Sequence, residues 1–145
     1  MNAIRLQIAV ALKQYLEENL TEDNTAPVVY MWDLMPEDTA DRIIVDVGNI
    51  RQSEIVPQLF EGTIEVNIAT QYQQATLSDD YEKHKNRVIE IENLLAREEF
   101  IDTLNALMTE YMLNGLRTSA APDTRILEEF LVSSINKTYL IAGKE

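Results

Sequence analysis

Apolar positions in this chain repeat first with a helical period and then with an alternating one. Ile4, Ile8, Ala11, Leu12, Tyr15, Leu16 and Leu20 recur at i, i+4, i+7 and i+8 spacing, which puts them on one face of a helix over residues 4–20. Arg5, Lys13, Gln14, Glu17 and Glu18 fill much of the other side, and Asn2 is the candidate N-cap. Leu6 and Val10 lie off the main stripe, where they widen the buried face or meet a neighbouring subunit. Thr21-Glu22-Asp23-Asn24 is turn chemistry, and Pro27 rules out continuation of the helix.

Shorter β-type segments follow. Residues 28–32 are a β-prone run, and residues 34–41 are a polar excursion carrying Pro36, Glu37, Asp38 and Asp41. Residues 42–47 alternate, with Ile43, Val45 and Val47 on one face and Arg42, Ile44 and Asp46 on the other. Gly48-Asn49 breaks the pattern, and residues 50–61 have no sustained period. That is a loop long enough for a compact domain to have a use for it.

Residues 63–70 alternate most cleanly: Ile64, Val66 and Ile68 face one way, Thr63, Glu65 and Asn67 the other, which predicts a half-covered sheet. Asp79, with Glu82 three residues later, has capping-box spacing for a helix whose stripe is Tyr81, His84, Val88, Ile91 and Leu95. Arg97-Glu98-Glu99 predicts a kink, with a shorter helical segment through Phe100, Leu104 and Leu107. Residues 111–116 read as a strand. Residues 126–141 read as one long strand or two in sequence, with a bulge at Ser133-Ser134 where the apolar parity changes. The expectation is a single α+β domain over residues 1–145, in the order α-β-β-β-α-β-β. Its sheet is mostly antiparallel, with helices on one face.

Composition narrows the function classes. Lys and Arg total 12 against 25 Asp and Glu, a formal charge of −13 that repels free nucleic acid and anionic membranes. There is no Cys, which excludes disulfides and thiol chemistry. No basic start is followed by an apolar h-region, and no apolar run is long enough to span a bilayer, so neither a signal peptide nor a membrane partner is expected.

Candidate chemistry is sparse. His84, the only histidine, sits on an apolar helical stripe and reads as a packed core residue. Asp33, Glu37, Asp38 and Asp41 match no EF-hand spacing, so no metal is expected. The four glycines form no phosphate loop, and the serines form no nucleophile elbow. Lys83, Lys85 and Arg87 read as a solvated helix face, interleaved with Glu82 and Glu90. No catalytic residue and no cofactor is expected.

Surfaces are more suggestive. Met31, Trp32, Leu34 and Met35 exceed what one short strand buries on one face, which leaves core or an intersubunit patch as readings. The flanking loops add Asp38 and Asp41 on the acidic side, and Ile50, Arg51, Ile55, Leu59 and Phe60 on the other, as interface candidates.

The order of elements over nearly the whole chain resembles the tail terminator proteins of long-tailed phages. The resemblance rests on the helix 4–20, the strands 28–32 and 42–47, and the strand Gly62-Thr-Ile-Glu-Val-Asn-Ile-Ala-Thr70. It continues through the polar loop, the helix 79–95 with its continuation 100–107, and the closing strands 111–118 and 126–142. It implies a virion protein assembled in the host cytoplasm, whose hexameric ring caps the tail tube and stops its polymerisation. The ring would present a surface to the head connector, and the genomic DNA would pass through its lumen without specific binding. Its partners would then be copies of itself, the tube protein and the connector or stopper. Stopper proteins of the phage neck share this length and lack of chemistry; a small cellular adaptor is the alternative of another class.

Overall fold

The helical period of the first segment becomes α1 (Asn2–Asn19), which already includes Asn2 rather than being capped by it. In a computed structural model describing residues 2–33, 41–54, 59–107, 111–118 and 122–143, seven strands and two further helices follow. The strands are β1 (Val28–Tyr30), β2 (Arg42–Val47), β3 (Arg51–Gln52), β4 (Phe60–Gln71), β5 (Tyr111–Thr118), β6 (Thr124–Leu127) and β7 (Phe130–Gly143). The helices are α2 (Leu77–Leu95) and α3 (Glu98–Leu107). The α+β class holds, with more elements than the periodicity resolves.

The strands form one sheet in the order β1-β2-β4-β7-β5, with β3 paired to β4 and β6 to β7. All pairings are antiparallel except β1 with β2. One sheet face carries Val28, Ile43, Val45, Val47, Ile64, Val66, Ile68, Ile135, Tyr139 and Ile141 into a single buried cluster. The helices complete it with Ile8, Leu12, Leu16, Val88, Ile91, Leu94, Leu95, Phe100 and Leu104. Each such aliphatic side chain contributes roughly 1.5–3 kcal/mol relative to exposure. Tyr15 joins the helices: its ring packs 4.9 Å from Phe100, and its hydroxyl donates to the Leu94 carbonyl at 2.9 Å.

Several expectations are corrected. The first β run stops at Tyr30, and Met31–Asp33 form a 3-10 turn. The described part of the stretch 50–61 is not a featureless loop: Arg51 pairs with Glu61 and Gln52 with Phe60, so β4, expected to begin at Thr63, starts at Phe60. Asp79 lies inside the first turn of α2, behind Thr76. The local hydrogen bonds there go to Asp80, whose carboxylate accepts from the Thr76 hydroxyl (2.7 Å) and the Gln73 amide (3.2 Å). These bonds, the Thr76 one foremost, lower its pKa. Tyr81, placed on the core stripe by its spacing, is exposed.

The expected bulge at Ser133-Ser134 is absent. Pairing of β4 with β7 runs unbroken from Phe60↔Ile141 to Gln71↔Phe130, and the chain reverses instead at Glu128-Glu129, between β6 and β7. The core face of β7 is Leu131, Ser133, Ile135, Lys137, Tyr139 and Ile141. Two polar residues on that face disguise its alternation. The register shift lies in β5, between Leu113 and Leu116.

Candidate interaction surfaces

Eight large apolar side chains are exposed among the described residues: Leu6, Val10, Met31, Trp32, Tyr81, Ile89, Ile126 and Leu127. They sort into two groups. Leu6, Val10, Met31 and Trp32 stand by β1, at one end of the strand order; Ile126 and Leu127 belong to β6, on the far side of β7, with Tyr81 and Ile89 on α2 beside it.

The β1 group is built on a stacked pair. The turn after Tyr30 folds Trp32 back, so that the two rings lie 4.6 Å apart and nearly parallel, at 8°. Lys13 Nζ stands 5.7 Å from the Tyr30 ring centroid, a cation–π contact. Trp32 is still 58 % exposed. With Arg5, Leu6, Ala9 and Val47 it borders a notch of about 190 Å³, and Val10 lies one turn along α1 from Leu6. Arg5 is held there by donating to the Val47 carbonyl from Nε (3.2 Å) and Nη2 (2.8 Å).

The second group borders a groove of about 870 Å³ between the outer side of α2 and the β6–β7 hairpin. Tyr81, Val88 and Ile89 form one wall, Ile126 and Leu131 the other, and Lys85 lies on the helix side. No helix among the described residues covers β6, and Ile126 remains 64 % exposed on the face that elsewhere makes the core. Leu127 projects from the other face of the same hairpin. Thr124 and Ser133 supply polar lining.

Behind that lining runs a polar chain crossing the sheet beneath α2. Asp41 Oδ2 accepts from Arg87 Nη1 (3.4 Å), and the same nitrogen donates to Thr70 Oγ1 (3.0 Å). Thr70 Oγ1 lies 2.8 Å from His84 Nδ1, His84 Nε2 2.8 Å from Ser133 Oγ, and Ser133 Oγ 3.0 Å from Thr124 Oγ1. Arginine only donates, so Thr70 Oγ1 accepts from Arg87, and either its proton or its second lone pair serves His84 Nδ1 according to the ring tautomer. Burial first, then the Arg87 charge, lowers the His84 pKa to about 4, against a smaller opposing effect of Asp41, so the ring is neutral at pH 7. A neutral ring carries one N–H and one bare nitrogen, so it donates to one of the two hydroxyls and accepts from the other.

Arg87 is the residue that charge patterning misplaces. Its side chain is 1 % exposed, anchored also to the Asn24 carbonyl (2.9 Å) and the Thr25 carbonyl (3.3 Å), while Lys83 stays outside and bridges to Asp41. An isolated cation in a Lys-Arg-Glu run gives no sequence signal of burial; the partner carboxylate is 46 residues away.

The other interface candidates separate. Met31 and Trp32 are exposed. Asp41 is turned inward: besides Arg87 and Lys83 it caps the Gln71 amide at 2.8 Å, so it braces the fold rather than facing outward. Ile50 and Phe60 are partly buried against the core, and Leu59 is half-buried. Arg51 is exposed and pairs with Glu61 at 3.0 Å. Leu34, Met35, Asp38 and Ile55 lie outside the described residues. The groove beside β6 was not anticipated; its one sequence signal is the adjacent pair Ile126-Leu127, apolar on both faces of a strand end.

Comparison with known family models and with curated proteins finds no match for this chain. No helix among the described residues is long and apolar enough to cross a membrane.

Proposed function

We propose that this chain is a structural protein of a tailed phage: a tail terminator whose subunits join into a ring, hexameric by the resemblance. The ring caps the tail tube, stops its growth and meets the head connector. The observation that carries this reading is the placement of two unlike apolar patches at opposite edges of one sheet. A ring is closed by heterologous contacts, and each subunit must then carry two different, complementary surfaces. A symmetric dimer needs only one. In this reading the mechanism is capping by surface complementarity, no bond is made or broken, and the site of action is the neck of the virion. The charge of −13 per chain fits a lumen through which DNA passes without sticking.

The test is tube growth. Tail-tube protein polymerised with this chain should give tubes of restricted length bearing an end cap in electron micrographs. Unrestricted tubes, with binding to portal-associated protein instead, would replace the terminator by a stopper. Binding to neither would overturn the reading.

A further inference from the structure

We infer that the first half of α2 is held to the sheet by a proton-sensitive latch: protonating His84 releases residues 77–87 from β4 and β7 while the rest of the fold stays closed. The inference is independent of the ring reading. Three observations carry it.

The first is how burial is divided along α2. Its buried apolar side chains, Val88, Ile91, Leu94 and Leu95, all lie in the second half. In the first half the buried side chains are His84 and Arg87, both polar. Tyr81, which the helical spacing would place inward, is exposed, and Leu77 is half-buried. The first half is therefore seated chiefly by polar contacts. Segments with few buried apolar contacts are the ones that open short of global unfolding.

Charge supplies the second. Thr70 Oγ1 joins the two buried residues, 3.0 Å from Arg87 Nη1 and 2.8 Å from His84 Nδ1. Arg87 and Lys83, both from α2, already share one carboxylate, Asp41 from the segment before β2. Toward the ring, β4 and β7 turn the hydroxyls of Thr70 and Ser133, with Thr124 of β6 behind Ser133. A protonated His84 would be a third cation against that single carboxylate, at a fully buried position. Burial and like charge both disfavour the charged ring, and the lowered His84 pKa agrees with this geometry.

The third is hydrogen bonding. The neutral ring matches its two hydroxyls, donating to one and accepting from the other. With both nitrogens protonated, Thr70 Oγ1 must accept from Arg87 and from the ring at once. Both its lone pairs are then used, and its own proton is turned away from both partners.

The latch sets the width of the groove. Leu77, Ser78, Tyr81 and Lys85, on its helix side, belong to the segment that His84 holds, and Ser133 and Thr124 belong to its other side. Release of the segment would open the groove away from β6.

Amide exchange, read residue by residue by NMR and corrected for the intrinsic rate, tests this at pH 7 and pH 5. Amides of residues 81–87 should exchange faster than those of Val66 and Ile68 in β4 at both pH values. Their opening should rise about 20-fold from pH 7 to pH 5, the linkage expected for a ring pKa of about 4 when latched and 6.5 when released. His84→Gln keeps a donor and an acceptor for the two hydroxyls and should abolish that rise. The single histidine also gives one ring signal to follow in the wild type, and it should remain that of a neutral ring at pH 5. Exchange of residues 81–87 only together with β4 would overturn the proposal. So would a rise that persists in His84→Gln. Should that variant fail to fold, a wild-type ring already protonated at pH 5 with α2 still protected would overturn it equally.

Discussion

The Tyr139 ring lies across Gly62, its register partner on the neighbouring strand. A Cβ at residue 62 would stand 2.5 Å from the Tyr139 hydroxyl oxygen and 2.7 Å from Cζ. Only a residue without a side chain leaves room for the ring on the core face. Gly62→Ala should therefore destabilise the protein by about 1–3 kcal/mol, read from urea denaturation. The hydroxyl itself is buried without a hydrogen-bond partner among the described residues, and burial pushes its pKa up to about 12 despite Arg5 nearby. Tyr139→Phe should be neutral or stabilising by about 1 kcal/mol. A clear loss would show that the hydroxyl has a partner.

Arg87 and Asp41 set a second expectation. Removing a buried cation's counter-charge, or the cation itself, leaves the other group uncompensated. Arg87→Ala should cost about 3–5 kcal/mol, the range for breaking a buried pair. Asp41→Asn keeps an acceptor for the Gln71 amide and loses the charge facing Arg87, so its cost should be smaller, about 1–3 kcal/mol. If denaturation midpoints stay at the wild-type value in both, the polar chain has no structural role.

The pH dependence follows from His84. Its folded pKa of about 4 lies below its ordinary value of 6.5, so the unfolded chain takes up the proton first. The stability associated with the neutral ring is complete above pH 6.5 and is lost as pH falls from there to about 4. A difference of this size corresponds to roughly 3 kcal/mol. Denaturation at pH 7 and pH 4.5 should show the loss in the wild type and a flatter profile in His84→Gln. Equal slopes would place the pH sensitivity elsewhere.

The β6–β7 turn offers a stabilising change. Glu128 has φ 56°, a left-handed conformation that suits glycine better than a side-chain-bearing residue. The turn is held against the end of β4, where the Tyr72 amide donates to the Glu129 carbonyl at 2.9 Å. Glu128→Gly should raise stability by about 0.5–1 kcal/mol, seen as a higher melting temperature. A lower melting temperature would mean that the Glu128 side chain contributes more than its backbone costs.

The frame of this molecule was legible where one face is uniformly apolar. The Ile8–Leu12–Leu16 stripe and the Ile64–Val66–Ile68 alternation predict their elements because burial and period coincide. Legibility failed where polar groups are buried in company. Ser133 and Lys137 on the core face of β7 hid its parity, and Arg87 read as solvated because Asp41 and the carbonyls of Asn24 and Thr25 come from distant segments. The Trp32 patch could be suspected from four large apolar residues near a proline. The groove left only the adjacent pair Ile126-Leu127 as a signal, because it exists where β6 extends the sheet beyond α2, a property of topology rather than of local pattern.

Electron micrographs of the purified chain test the central claim most directly. The account predicts closed rings of uniform diameter. Monomers alone, or two-fold dimers that never close into rings, would contradict it.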